Sequence, residues 1–302
     1  MKQKKFRKYL PFYVMGLPGL IYLFINNYMP LPGLMIAFER YSYKKGLFGS
    51  PFVALENFEY LFKTKDAWVI TRNTVGYNVA WIFLSMVLSI AVAIFLNEIA
   101  GRRLKKFYQT AILLPHLISM VIVSYLVFAF LSESNGFINN MLAKFGAEGA
   151  AWYSDSKYWP FILTIVYLWK TIGFTSIIYL SSIVGISREY YEAAEIDGAT
   201  KWRQIRYITL PLLKPTIITL LILNLGKVFR SDFGLFYQVP KNIGQLFPTT
   251  NTLDTYVYRA FMLNGDIAMS AAAGFYQSVV CFVLLIASNF IIKKFNHGEA
   301  LF

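Results

Sequence analysis

Residues Asn73–Asn97 read NTVGYNVAWIFLSMVLSIAVAIFLN, a stretch without a single charged side chain. A helix needs about 20 residues to cross the roughly 30 Å hydrocarbon layer of a bilayer. In lipid the backbone must satisfy its own hydrogen bonds, so a run of this kind is read as a helix. Three more charge-free runs lie outward from it, at Tyr9–Phe38, Phe107–Leu131 and Ile267–Ile292. Two further apolar runs carry isolated lysines: Tyr158–Ile186 with Lys170, and Ile208–Phe229 with Lys214 and Lys227.

These six runs predict an all-α, polytopic membrane helix bundle. The expected spans are about Leu10–Tyr28, Val75–Leu96, Phe107–Leu131, Tyr158–Gly185, Ile208–Phe229 and Ala271–Ile292. Composition agrees: 57% of the 302 residues are hydrophobic, and only 15% are charged, where a soluble domain carries about 25%. A transmembrane barrel would need alternating segments of about ten residues, which are absent. The first run is too long for a cleaved signal peptide, and no small-residue cleavage pattern follows it.

Pro30 and Pro32 are expected to interrupt the first span, because proline lacks an N–H and clashes with the preceding turn. Pro18 could kink it earlier. In the external segment about Glu39–Arg72, the stretches Asn57–Phe62 and Trp68–Ile70 are amphipathic and expected at the interface. The expected organisation is a cytoplasmic tail over 1–9, a permeating domain over 10–294 and a second cytoplasmic tail over 295–302.

The net charge of +13 is a matter of topology. With the N-terminus in the cytoplasm, short inside segments hold 15 Lys and Arg residues, including Lys4, Lys5, Arg102, Arg103 and Lys293. The much longer outside segments hold ten, balanced by acids. The positive-inside rule therefore places both termini in the cytoplasm. No basic domain lies outside the spans, so nucleic acid is not an expected partner.

Catalytic chemistry is absent. Cys281 is the only cysteine, and His116 and His297 are isolated. No metal set or nucleophilic triad can be assembled from them. No G-x-x-x-x-G-K-[ST] phosphate cradle occurs, so energy must come from another chain. A proton- or ion-coupled carrier would need acids at mid-membrane, yet Glu98 and Asp232 lie only at span ends. A membrane enzyme of lipid or glycan metabolism would need clustered acids or metal ligands at the interface, and none appears.

Between the fourth and fifth spans lies SREYYEAAEIDGATKWRQIRYITLP, residues Ser187–Pro211. This reads as a short helix, a glycine break and a second helix. Ser187 can cap the first helix, with Glu189 favourably placed in its first turn. Gly198 suits the left-handed position after a helix end. Thr200 can cap the helix feeding the fifth span, and Pro211 is tolerated near its beginning. A plain connector would be shorter. The mixture of Ala193, Ala194 and Ala199 with acids and aromatics suits a helix that fits a groove on a soluble partner.

The segment resembles the EAA loop of ABC-importer permeases: E-A-A, three residues, G, nine residues, then I-x-L-P. Glu192, Ala193, Ala194, Gly198, Ile208, Leu210 and Pro211 match with both spacings kept. The resemblance implies the type I importer permease fold with a cytoplasmic coupling helix in the loop 187–207. It implies that this helix docks in a cleft of the ATPase subunit and passes its closure to the spans. Glu192 would face basic groups of the ATPase, Ala193 and Ala194 would be the close-packed face, and Gly198 the bend. Asp197, Leu210 and Pro211 complete the implied coupling set.

Glu56-Asn57-Phe58, Asn73-Thr74, Asp197-Gly198-Ala199 with Trp202, and Asn27–Pro30 resemble the sugar branch, in particular permeases for complex or polysaccharide-derived oligosaccharides. The implied assembly has a second, non-identical permease, two ATPase subunits and an external sugar-binding protein in a bacterial cytoplasmic membrane. This chain would bind no cofactor, while the ATPase would use ATP and magnesium. Import of another solute, such as an oxyanion, is the alternative within the same class.

Polar groups at membrane depth are the candidates for the substrate path, because they are costly there and face protein or water. Asn78 and Ser85 share one face of the second span with Ser89. Lys170 sits mid-span, either lining a path or holding a hydrogen-bond network. Lys227 lies near the outer end of the fifth span, and Asn224 is the best neutral candidate. Trp169 offers an aromatic face for a sugar ring.

Overall fold

The computed structural model describes residues 2–295, so the tail expected over 295–302 lies outside them but for Phe295, as does Met1. The described chain is helical apart from turns, short 3-10 segments and one isolated antiparallel bridge, Glu39 to Phe52. Among the described residues, five helices are long and apolar enough to cross a membrane, and a bent pair makes six if it is one span. The chain divides into two compact units, one drawn from Met1–Lys63 and Val257–Tyr276, the other from Thr64–Tyr256 and Gln277–Phe302.

In the first unit, the helix Lys2–Leu23 accommodates Pro11 and Pro18 and passes into a π turn, Phe24–Tyr28. A 3-10 stretch, Leu31–Phe38, begins after Pro30 and holds Pro32 in its first turn. Phe38, Phe58 and Phe275 pack edge-on or tilted at 5.2–6.1 Å. Asn57 donates to the carbonyls of Ala37 and Glu39 at 3.0 and 2.9 Å, which fixes the turn into the bridge.

In the second unit, span 2 is Lys65–Glu98, capped by Thr64, whose hydroxyl accepts from Ala67 N at 3.1 Å. Its 34 residues rise about 51 Å at 1.5 Å each, well beyond the hydrocarbon layer. Trp68–Ile70 is part of the first turns of this helix. Ile70 is buried and Trp68 exposed, so the amphipathic reading holds within the helix.

Span 3 was expected as one helix, Phe107–Leu131. It is two, Arg102–Leu117 and Met120–Leu131, bent by 94° at the break. Ile118 and Ser119 are extended, and the Ser119 hydroxyl accepts from Ile122 N at 3.4 Å to start the second half. Pro115 lies in the last turn before the break, where a helix is easiest to end.

Span 4, Trp159–Val184, has Pro160 in its first turn and packs mainly on spans 2 and 3. Gly173 permits the closest approach. A Cβ there would lie 1.8 Å from the Ile112 carbonyl oxygen, so the helix Arg102–Leu117 rests directly on the span 4 backbone. Two apolar clusters fill the unit. One gathers Trp81, Trp159, Leu163, Val123 and Phe236, and the other Ala93, Leu96, Tyr179, Ile183 and Leu213.

Span 5, Leu210–Leu225, ends four residues short of the expected Phe229 and turns at Gly226 against Leu285. Span 6 is the helix Ile267–Phe295. The short helix Phe233–Gln238, capped by Asp232, packs beside Met120–Leu131, where Ser124 donates to the Gln238 carbonyl at 2.6 Å.

Candidate functional site

The segment between spans 4 and 5 folds as a helical hairpin. Ser187 caps the helix Arg188–Ile196 by accepting from Glu189 N at 3.4 Å. The helix ends in a Schellman motif, in which Ala199 N donates to Ala194 O at 2.8 Å and Gly198 N to Glu195 O at 3.0 Å. Gly198 has φ +74°, the left-handed conformation that glycine adopts without strain. Thr200 accepts from Arg203 N at 3.5 Å and starts the helix Lys201–Gln204.

The second arm runs without interruption into span 5 through a π turn, Ile205–Thr209. Pro211 follows at once. Its ring would collide with the carbonyl four residues back in an ordinary helix, and the wider turn precedes it.

Side chains lock the two arms together. The Glu195 carboxylate accepts from Lys201 Nζ at 3.1 Å and from Gln204 Nε2 at 3.4 Å. Gln204 is only 3% exposed and also donates to Ala199 O. The Tyr191 hydroxyl meets Thr209 Oγ1 at 2.9 Å, tying the first helix to the start of span 5. The hydrogen bonds of Lys201, then of Gln204, hold the Glu195 carboxyl below the usual range, and the same pairing raises the Lys201 ammonium.

The outer surface of the hairpin is left free. Glu192, Ala193, Asp197 and Gly198 are exposed and Ala194 is half-buried. Ile196 is 89% exposed and Trp202 69%. A rigid element with a bare face of small, apolar and acidic groups can receive a partner and carry its displacement to span 5.

Sequence reasoning found the caps, the bend and the exposed face. It missed Glu195, Lys201, Gln204 and the Tyr191–Thr209 contact. Opposite charges six residues apart across a glycine break were the available signal.

The path candidates are scattered. Lys170 is buried and donates to the carbonyls of Pro115, at 3.2 Å, and Ile118. Asn78 spans Thr74 O and Arg230 O at 2.7 and 3.0 Å. Ser85 and Asn224 are brought together, with Thr175 and Tyr179, around a cavity of about 10 Å³, room for one water. Trp169 is half-exposed at the edge of an apolar pocket lined by Val123, Phe130 and Ile165. Lys227 is exposed in the turn after span 5.

Beyond span 5 a polar seam ties the following loop to span 2. Asn73 Nδ2 donates to Asn251 O at 2.9 Å, and Leu253 N donates to Thr74 Oγ1 at 2.9 Å. Asp254 accepts from Ser231 N and Oγ at 2.6 and 2.7 Å, and Gln277 joins it to the Phe229 carbonyl. The pair Asn73-Thr74 thus has a physical task in addition to its family resemblance.

The family described as the binding-protein-dependent transport system inner membrane component matches residues 85–297. The chain belongs to this family. It is an integral inner-membrane permease of an ATP-binding-cassette importer, a transport subunit and not an enzyme. The permease is 34% identical over 294 residues to the polygalacturonan/rhamnogalacturonan transport system permease protein YteP of Bacillus subtilis, covering 96% of this chain and 89% of that protein. The permease fold superposes with a TM-score of 0.88, at 31% identity, on a bacterial ABC transporter chain involved in the import of the acidic polysaccharide alginate, covering 97% and 99% of the two chains. A second structure of the alginate transporter, in complex with its alginate pentasaccharide-bound periplasmic protein, matches at TM-score 0.87 and 31% identity over 97% of both chains.

Proposed function

We propose that this permease, with a second and non-identical permease, forms the translocation path for oligosaccharides derived from acidic polysaccharides, delivered by an external binding protein. Two ATPase subunits on the cytoplasmic side hydrolyse ATP with magnesium, and this chain binds neither. The hairpin 187–207 is the coupling element. Glu192, Ala193, Ala194, Asp197 and Gly198 form the ATPase-facing surface, and Leu210 and Pro211 begin the span that moves. Both termini are cytoplasmic, in keeping with the basic residues that flank the spans on that side.

The observation that carries this reading is the hairpin itself, whose exposed face is bare while its back is bonded through Glu195, Gln204 and Tyr191 to the root of span 5. The substrate class is supported by the acidic polysaccharide named for the superposed transporter and by the galacturonan named for the similar permease. Of the path candidates, Ser85 and Asn224, facing one water-sized cavity, are the pair proposed to line the route.

The test is uptake in vesicles holding the complete transporter. Oligogalacturonate or another uronate oligosaccharide, presented with the cognate binding protein, is expected to be accumulated only with internal ATP. Neutral oligosaccharides of the same length should compete poorly. Accumulation that persists without ATP but collapses with the proton gradient would overturn the assignment.

A further inference from the structure

An open groove of about 570 Å³ runs down one side of the second unit, and the coupling mechanism makes no use of it. Its floor is span 2, where Arg72, Gly76, Ala80 and Leu84 line up at four-residue intervals. Its wall is span 4, with Phe161 and Ile165 exposed beside it. Small side chains at Gly76 and Ala80 leave the trough that larger ones would fill.

The groove is charged at one end only. Arg72 is the last charge before the uncharged stretch Asn73–Asn97, and Trp68, exposed one turn earlier, sits where interfacial aromatics are favoured. The Arg72 guanidinium is held in place by Asn73 Oδ1, at 3.0 Å, and Pro248 O, at 2.8 Å, both through Nη2. Its Nη1 edge makes no hydrogen bond among the described residues. Tyr77 and Thr249 are joined to each other at this end, and no acid lines the groove. From Arg72 to Leu84 the helix rises about 18 Å, against about 15 Å for one leaflet's half of the hydrocarbon core.

We infer that this groove binds one anionic phospholipid of the outer leaflet, its acyl chain along Gly76–Leu84 and its phosphate on the free edge of Arg72. A fixed cation at the interface, an apolar trough one leaflet deep and the lack of any competing carboxylate together select a charged head with a hydrocarbon tail. The inference rests on the membrane placement of span 2 and not on the identity of the transported sugar.

The experiment uses the assembled transporter, purified in mild detergent and titrated with phosphatidylglycerol or phosphatidylcholine of identical acyl chains, with bound lipid counted by native mass spectrometry. Phosphatidylglycerol is expected to be retained at one per chain, about fivefold more tightly than phosphatidylcholine, the worth of one interfacial cation. Arg72→Gln should abolish that preference, and Ala80→Phe should remove the bound lipid altogether. Equal retention of the two lipids by the wild type would overturn the proposal, and this comparison decides even if a variant fails to assemble. A photo-crosslinker at Ala80 that joins the chain to the other permease would overturn it too, because the trough would then be filled by protein.

Discussion

The ammonium of Lys170, in the middle of span 4, donates to the carbonyl of Ile118 at the break in span 3. It also donates to Pro115 O at 3.2 Å. The last carbonyls of a helix have no partner within it, and a cation at that end meets the negative pole of its dipole. A buried lysine is costly unless its donors are used. Here the Ile118 carbonyl at the 94° bend uses one donor, and the Pro115 carbonyl, which also accepts from Ile118 N, uses a second. Gly173, one turn on, lets the same helix rest on span 4, and His116 stacks on Phe174 at 4.7 Å.

Lys170→Met keeps the side-chain length and removes the donors. The half-buried Ile118 carbonyl loses its partner, at about 1–3 kcal/mol, while the Pro115 carbonyl keeps the Ile118 N–H at 3.3 Å. The thermal midpoint of the purified transporter should fall, with uptake falling in parallel. Unchanged stability with altered substrate selectivity would show Lys170 to be a path residue instead.

Gly173→Ala places a methyl carbon inside the Ile112 carbonyl, a backbone group that cannot swing aside. The two helices must separate, which costs the packing of the whole contact. Poor assembly by size-exclusion chromatography is expected. Gly185→Ala, where the nearest atom is 3.4 Å away, should assemble like the wild type.

At Gly198 the backbone conformation ranks the substitutions. Its φ of +74° disfavours alanine by about 1–2 kcal/mol, while asparagine tolerates the left-handed region better. ATP-coupled uptake should fall in the order glycine, asparagine, alanine, proline. Full uptake by Gly198→Pro would remove the hairpin from the coupling path.

The Glu195–Lys201 pair gives the hairpin a pH dependence. Because the folded carboxyl titrates below its unfolded value, its contribution is present above the ordinary glutamate range. That contribution is lost as pH falls through the depressed folded value. The pair is exposed, so the effect is small and weakened by salt. Protection factors across 187–207, corrected for intrinsic exchange, should fall on acidification in the wild type and not in Glu195→Gln.

The spans and the coupling hairpin were legible because their signals are local. Charge-free runs declare the helices, and Ser187, Gly198 and Thr200 act on bonds within a few residues of themselves. The bend in span 3 was not legible, since Pro115 alone is compatible with a continuous helix and the deciding cation lies 52 residues away. For the same reason Lys170 could be read as path or scaffold until its partners were known. Trp68–Ile70 was set apart from span 2 because the charges at Lys65, Asp66 and Arg72 obscure the outer turns of a helix longer than the bilayer. The Tyr191–Thr209 contact pairs two unremarkable residues and had no sequence signal.

The central claim is that force enters this permease through the exposed face of the hairpin 187–207. A photo-activatable residue at Ile196, the most exposed apolar position there, tests it most directly in cells expressing the whole transporter. The expected product is an adduct with the ATPase subunit whose yield changes when ATP is trapped. An adduct with lipid or the external binding protein alone, or labelling of this position by a membrane-impermeant reagent added outside, would contradict the claim.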